Sequence, residues 1–202
     1  MSAIPVRAQE DIIRAGRRMD QRGWVPATAG NISARIEGPR IAITRSGGHK
    51  GFLNSFSVIE VDLEGRVVSP PDAKPSAETL LHCQIYRRFA DAGAVLHGHS
   101  VAGTVLSMES KAERLSFSGY EVQKIFAGQT SHEPTLGLPL VDNDQDMARL
   151  AGVVEPLLDD APMGYFIRGH GVYVWGPDMD MALARLEGLE FLLACALERS
   201  RR

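Results

Sequence analysis

The stretch AGAVLHGHSVAG, residues 92–103, places two histidines one residue apart at the end of a short apolar run. Ala94 to Ser100 reads as a buried strand, with a helix starting at Val101. Side chains two apart on a strand leave the same face, so His97 and His99 present both imidazoles to one side. Gly98 bares the opposite face, which allows another element to approach closely. Imidazole is a poor core filler and a good ligand for divalent cations. Two such nitrogens are too few for a tight site, so the pair asks for a third ligand elsewhere in the chain.

Working outward, residues 8–23 carry Ile12, Ala15, Gly16 and Met19 on one helical face and stop at Gly23. Residues 31–48 read as a hairpin, with Ile32–Ile36 and Ile41–Thr44 flanking Glu37-Gly38-Pro39. Residues 57–70 repeat that pattern around Glu64-Gly65. An amphipathic helix follows over residues 76–93, with Leu81, Ile85 and Phe89 on one face and Ser76 as N-cap. A brief helix is expected within residues 119–128, and a longer one from Asn143, its expected cap. Residues 164–176 alternate toward a hairpin or a bent strand broken by glycines, and the last helix begins near Met179. Hairpins first, then strands interleaved with helices, predict an α/β fold with a central mixed or antiparallel sheet covered by helices. No repeat or linker interrupts the chain, so residues 1–202 are read as a single domain.

At 202 residues the chain can bury a core without staples, and a formal charge of -3 with scattered lysines and arginines argues against nucleic acid as a partner. Cys83 and Cys195 are the only cysteines and form no C-x-x-C, which fits a reducing compartment. The first sixteen residues lack a long apolar run, and Arg185, Glu187 and Glu190 interrupt the most apolar stretch, residues 181–197. The expected location is the cytoplasm, with no membrane partner.

For the third ligand the best candidate is His170, set between two glycines in IRGHGVYVWG, residues 167–176. Three imidazoles without a cysteine point to zinc or another divalent first-row metal, with a coordination position left open for water or substrate. His49, His82 and His132 are weaker candidates; Glu78 and His82 stand four apart on a helix, where surface and capping roles are commoner. Three segments present backbone N–H groups beside a hydroxyl or amide: Thr28, Gly30 and Asn31; Ser46, Gly47 and Gly48; Lys74 and Ser76. Together they could cradle a phosphate, although each alone is commonly just a turn or cap. None is a Walker or Rossmann fingerprint.

In order, TAGNISARI (28–36), ITRSG (43–47), KPSAETLLH (74–82), AVLHGHS (94–100) and IRGHGVYVWG (167–176) resemble the class II aldolase family, also called the aldolase/adducin-head family. The resemblance runs over essentially the whole chain. It implies one catalytic zinc per subunit on His97, His99 and His170, and a phosphate site built from Asn31, Ser46, Gly47 and Ser76. Residues 115–128, LSFSGYEVQKIFAG, resemble the family's dehydratase branch, as does the C-terminal helix. That branch removes water from 5-methylthioribulose 1-phosphate in methionine salvage, and its acid/base glutamate matches Glu121. Tyr120 stands here where the branch carries glutamine. In the aldolases of the family the glutamate after the K-P-S serine does the acid/base work, and Glu78 holds that position. The resemblance further implies cytoplasmic homo-oligomers, commonly cyclic tetramers, with the active site near a subunit interface.

The implied chemistry is coherent. A proton α to a ketone needs a Lewis acid before a carboxylate can take it at neutral pH, and three neutral imidazoles leave the cation's charge intact for that task. An aldolase or epimerase acting on another sugar phosphate would need the same metal. An adducin-like binding module would not need an open site at all.

Overall fold

The structure, a computed structural model, describes residues 4–201. Its strands are β1 (Asn31–Ile36), β2 (Arg40–Thr44), β3 (Val58–Asp62), β4 (Val67–Ser69), β5 (Ala94–Gly98), β6 (Arg114–Phe117), β7 (Leu136–Val141), β8 (Tyr165–Ile167) and β9 (Gly171–Gly176). The helices are α1 (Val6–Gln21), α2 (Thr79–Arg88), α3 (Val101–Glu109), α4 (Met147–Val154) and α5 (Met179–Ser200), joined by short 3-10 turns. The strands form one sheet in the order β4-β3-β2-β1-β5-β9-β8-β7-β6. Every neighbouring pair is antiparallel except β7 and β8, which run parallel. The expected α/β architecture with a mixed sheet under helices is therefore the one observed.

Alternation explains why both faces are covered. Ile32, Leu96, Phe166, Val172 and Val174 pack with α1 and α5 residues such as Ile12, Met19, Leu186 and Leu189 on one face. Ile41, Ile43, Val95, Tyr165 and Tyr173 pack on the other with Leu81, Ile85 and Tyr86 of α2 and Leu150 and Val154 of α4. The period of two thus splits each central strand between two apolar layers. Gly98 faces α1: a Cβ there would lie 3.3 Å from the Trp24 carbonyl and 3.4 Å from Met19 Cε, the close approach its neighbours' spacing calls for.

Two helix starts differ from the sequence expectation. α2 begins at Thr79 with Glu78 at its N-cap, because Ser76 is occupied otherwise: its carbonyl accepts from Thr79 N, and its hydroxyl meets Glu78 N and Oε2. α4 is capped by Asp146, whose Oδ1 accepts from Ala148 N and Arg149 N, which frees Asn143 for another contact. Strands β6 and β7 had no counterpart in the sequence reading. Gly137 and Pro139 punctuate β7, and Pro139 sits opposite Arg114 on the short β6 at the sheet's end.

Candidate active site

Register builds the site. Asn31 of β1 pairs with His97 of β5, His97 with Tyr173 of β9, and Tyr173 with Tyr165 of β8, so four side chains form one row across the sheet beneath α2. The rings stack along it: His97 on Tyr173 at 4.1 Å between centroids, and Tyr173 on Tyr165 at 4.9 Å. His99 lies one residue beyond the strand end, its N–H donating to the Trp24 carbonyl. His170 tops the β8–β9 turn, where Gly169 at φ 62 reverses the chain. The three imidazoles converge, with one ring nitrogen from each lying within 4.8 Å of the others.

The donors suit a cation. His97 donates from Nδ1 to the Val172 carbonyl at 2.9 Å, which leaves Nε2 as the free lone pair. Nε2 of His97 and of His99 are both buried without a hydrogen-bond partner. Burial holds His97 far below the ordinary imidazole range, reinforced by the neighbouring His99. Burial and His170 bring His99 down to about 4. Three ring nitrogens converging on one point form a site that can hold a metal ion. Asn143 completes the surroundings, its Oδ1 3.3 Å from His170 Nδ1.

Glu78 aims at the same point. Its Oε1 is 2.8 Å from His170 Nε2 and 3.8 Å from His97 Nε2, and Oε2 accepts from the Asn31 amide. Burial pushes its carboxyl up, but the His170 hydrogen bond, the closeness of His97 and His170 and the Asn31 amide outweigh burial and hold it well below the usual carboxylate range.

Beside the triad lies a cavity of about 210 Å³. Asn31, Ser46, Gly47 and Ser76 all line it, as do His99 and Glu78, so three segments distant in sequence meet at one place. Sequence reading missed its two cations, Arg45 and Lys50. Lys50 is buried, its Nζ donating to the Thr28 and Gly48 carbonyls at 2.7 Å each. Burial lowers the ammonium to about 8, against the pull of Glu78. Its place inside a Gly-rich turn was the available signal.

Glu121 is placed differently. It opens a 3-10 turn, residues 121–125, with its side chain 72% exposed, and pairs with Lys124 and His132. No hydrogen bond or ion pair joins it to the triad among the described residues. Tyr120 accepts from Arg199 of α5, and Val122 and Ile125 lie against Gly188 of that helix, so the turn is tied to the C-terminal helix. Of the weaker histidines, His49 caps a short turn and His132 is exposed. His82 is fully buried, with Nδ1 2.7 Å from Ser33 Oγ. Cys83 and Cys195 are both free. No helix among the described residues is long and apolar enough to cross a membrane.

Comparison with known proteins places nearly the whole chain in one family. The family model described as Class II Aldolase and Adducin N-terminal domain matches residues 10–197. Over 192 residues the chain is 66% identical to the methylthioribulose-1-phosphate dehydratase of Gluconacetobacter diazotrophicus, covering 95% of this chain and 93% of that protein. The enzyme of the same name from Gluconobacter oxydans is 62% identical, with 95% and 92% covered. Among solved structures, the L-fuculose-1-phosphate aldolase from Thermus thermophilus superposes with a TM-score of 0.76 at 25% identity, covering 95% of this chain and 94% of that one.

Proposed function

The chain belongs to the class II aldolase and adducin family, and on that premise we propose that it removes water from 5-methylthioribulose 1-phosphate to give 2,3-diketo-5-methylthiopentyl 1-phosphate. It is an enzyme, a hydro-lyase of methionine salvage. The observation that carries the reading is contiguity: the cavity lined by the turns read as a phosphate cradle is also lined by His99 and Glu78. A phosphate there sets the rest of a short ketose beside the triad.

His97, His99 and His170 would hold the metal, taken as zinc, which when bound supplies the Lewis acidity that makes a proton α to a ketone removable at neutral pH. The chain's own groups do the rest. Ser46, Gly47, Ser76, Lys50 and Arg45 grip the phosphate and fix the register of the reacting carbons. A carboxylate takes the proton from carbon 3 and returns one to the hydroxyl leaving carbon 4, so one water departs and the carboxylate is restored; the resulting C3=C4 enol gains a proton at carbon 4 and loses its hydroxyl proton to give the diketone. We assign that role to Glu121 on its Gly119-Tyr120-Glu121 setting. Glu78 is the competitor, favoured by its 2.8 Å contact with His170. With Glu121 exposed in the single chain, its role rests on an assembled oligomer, and the tetramer is the preferred state. Phe52 and Phe56, 79% and 85% exposed, are apolar surface that a neighbouring copy would cover. One continuous sheet supports reading residues 1–202 as a single domain, and free cysteines support a cytoplasmic setting.

Incubating the purified, metal-loaded protein with the ketose phosphate tests the assignment. Diketone absorbance is expected. An aldolase, which would break the bond between carbons 3 and 4, predicts aldehyde fragments and no diketone, and that outcome would overturn the reading.

A further inference from the structure

At the other end of β5 and β9 lies a second cavity, of about 370 Å³, within the range of small-molecule sites. It opens beside Ala92 and Gly176, which pairs with Ala94 roughly 10 Å of strand rise from His97, and it shares no lining residue with the cavity beside the triad. One wall is aromatic: Phe89 and Trp175 stack at 5.2 Å between centroids, with Leu158 and Pro162 completing an apolar floor.

Two opposite charges face this wall. Arg185 of α5 donates from Nη1 to the Trp175 carbonyl at 2.8 Å, and its Nε is buried with no partner. Asp91 lines the same cavity and makes no hydrogen bond or ion pair among the described residues. The two are near enough for Asp91 to be the leading charge acting on the guanidinium, with Asp178 next, yet Arg185 pairs with neither. Asp178 is committed to capping α5, and Asp159 is held at the rim by Arg88. One cation and one anion therefore line the same partly apolar cleft without pairing with each other, each with donor or acceptor capacity to spare.

A simple anion would meet Asp91 repulsion, and a simple cation would meet Arg185. A zwitterion satisfies both. We propose that this cavity binds a free α-amino acid with an apolar side chain: its carboxylate on Arg185, its ammonium on Asp91, and its side chain against Phe89 and Trp175. Arg185 Nη2 makes no hydrogen bond among the described residues, so the guanidinium keeps a charged donor for a carboxylate beside the Nη1 that holds the Trp175 carbonyl. The inference does not depend on the reaction proposed above, because no residue of that site takes part.

Calorimetric titration of the intact metal-loaded protein with L-leucine, L-methionine and L-phenylalanine tests it. Saturable binding is expected for at least one, weakened about tenfold or more when the ligand is N-acetylated or converted to its amide, since each change removes a charge-assisted bond. Arg185→Met and Asp91→Asn should weaken binding by a similar factor. Absence of saturable heat overturns the proposal. So does binding that ignores the loss of the ammonium, which would mark an anion site, or binding unchanged in both variants. The modified ligands need no variant, so the test stands even if Arg185→Met folds poorly.

Discussion

Glu78 and Glu121 are two carboxylates that the same sequence offers for one task, and the fold treats them oppositely. Glu78, with 19% of its side chain exposed, is fixed by His170, Asn31 and Ser76 at the point where the triad converges. Glu121, 72% exposed, pairs with a lysine one helical turn away. A buried, multiply bonded carboxylate is held in place by its own chain. An exposed one on a turn gains a fixed position only from something that covers it. The difference teaches that the contacts fixing Glu78 lie within one chain, whereas the role proposed above for Glu121 calls for a neighbour.

The largest effect expected on either side of this contrast is His97→Ala. It should remove metal from the purified protein and cut kcat about 10³-fold or more, checked by metal analysis alongside turnover. Next comes the direct contest. Glu121→Gln should lower kcat about 10²- to 10⁴-fold with metal content unchanged, as for loss of a general acid/base. Full turnover in Glu121→Gln, with the loss appearing in Glu78→Gln, would move the role to the buried carboxylate.

Glycines sharpen the same comparison without touching either acid. A Cβ at Gly171 would press on the Gly98 carbonyl and lie 2.8 Å from His97 Cε1. Gly171→Ala should therefore weaken metal binding about 10- to 100-fold, the scale of other changes that misorient a ligand, read from a metal-competition titration. In the cavity beside the triad, Lys50→Met should raise KM about tenfold while metal content stays constant. Because burial lowers Lys50 to about 8, its cation is present below that pH and lost above it. KM in the native chain should then climb as pH rises through 8, and that limb should vanish in Lys50→Met. The smallest effect belongs to Gly119→Ala near Glu121, where nothing lies within 4 Å and only the positive φ of 81 resists. A loss of about 1 kcal/mol in thermal unfolding is expected there.

What the sequence showed in advance follows the range of the forces involved. The hairpins β1–β2 and β3–β4 and the helices α1, α3 and α5 were legible, because periodicity and turn residues are local. The three histidines were legible because each carries a local mark, a strand spacing or flanking glycines. Helix starts were misread where side chains had other business: Ser76 with the Glu78 carboxylate two residues on, Asn143 with His170 across 27 residues. Lys50 was invisible for the same reason, since it reaches the Thr28 carbonyl 22 residues back. Strand β7 was lost because Gly137 and Pro139 obey its place in the sheet rather than any strand propensity.

The pinned ring of His97 has a further consequence. Held by the Val172 carbonyl below and by Tyr173 alongside, it keeps its orientation through contacts that belong to the sheet. Stripping the cation with a chelator should accordingly leave an apoprotein whose circular dichroism matches that of the loaded form. Reconstitution should then run at the speed of ion capture rather than of refolding, so that loading the enzyme becomes an event of the cell's metal supply and not of the chain's assembly.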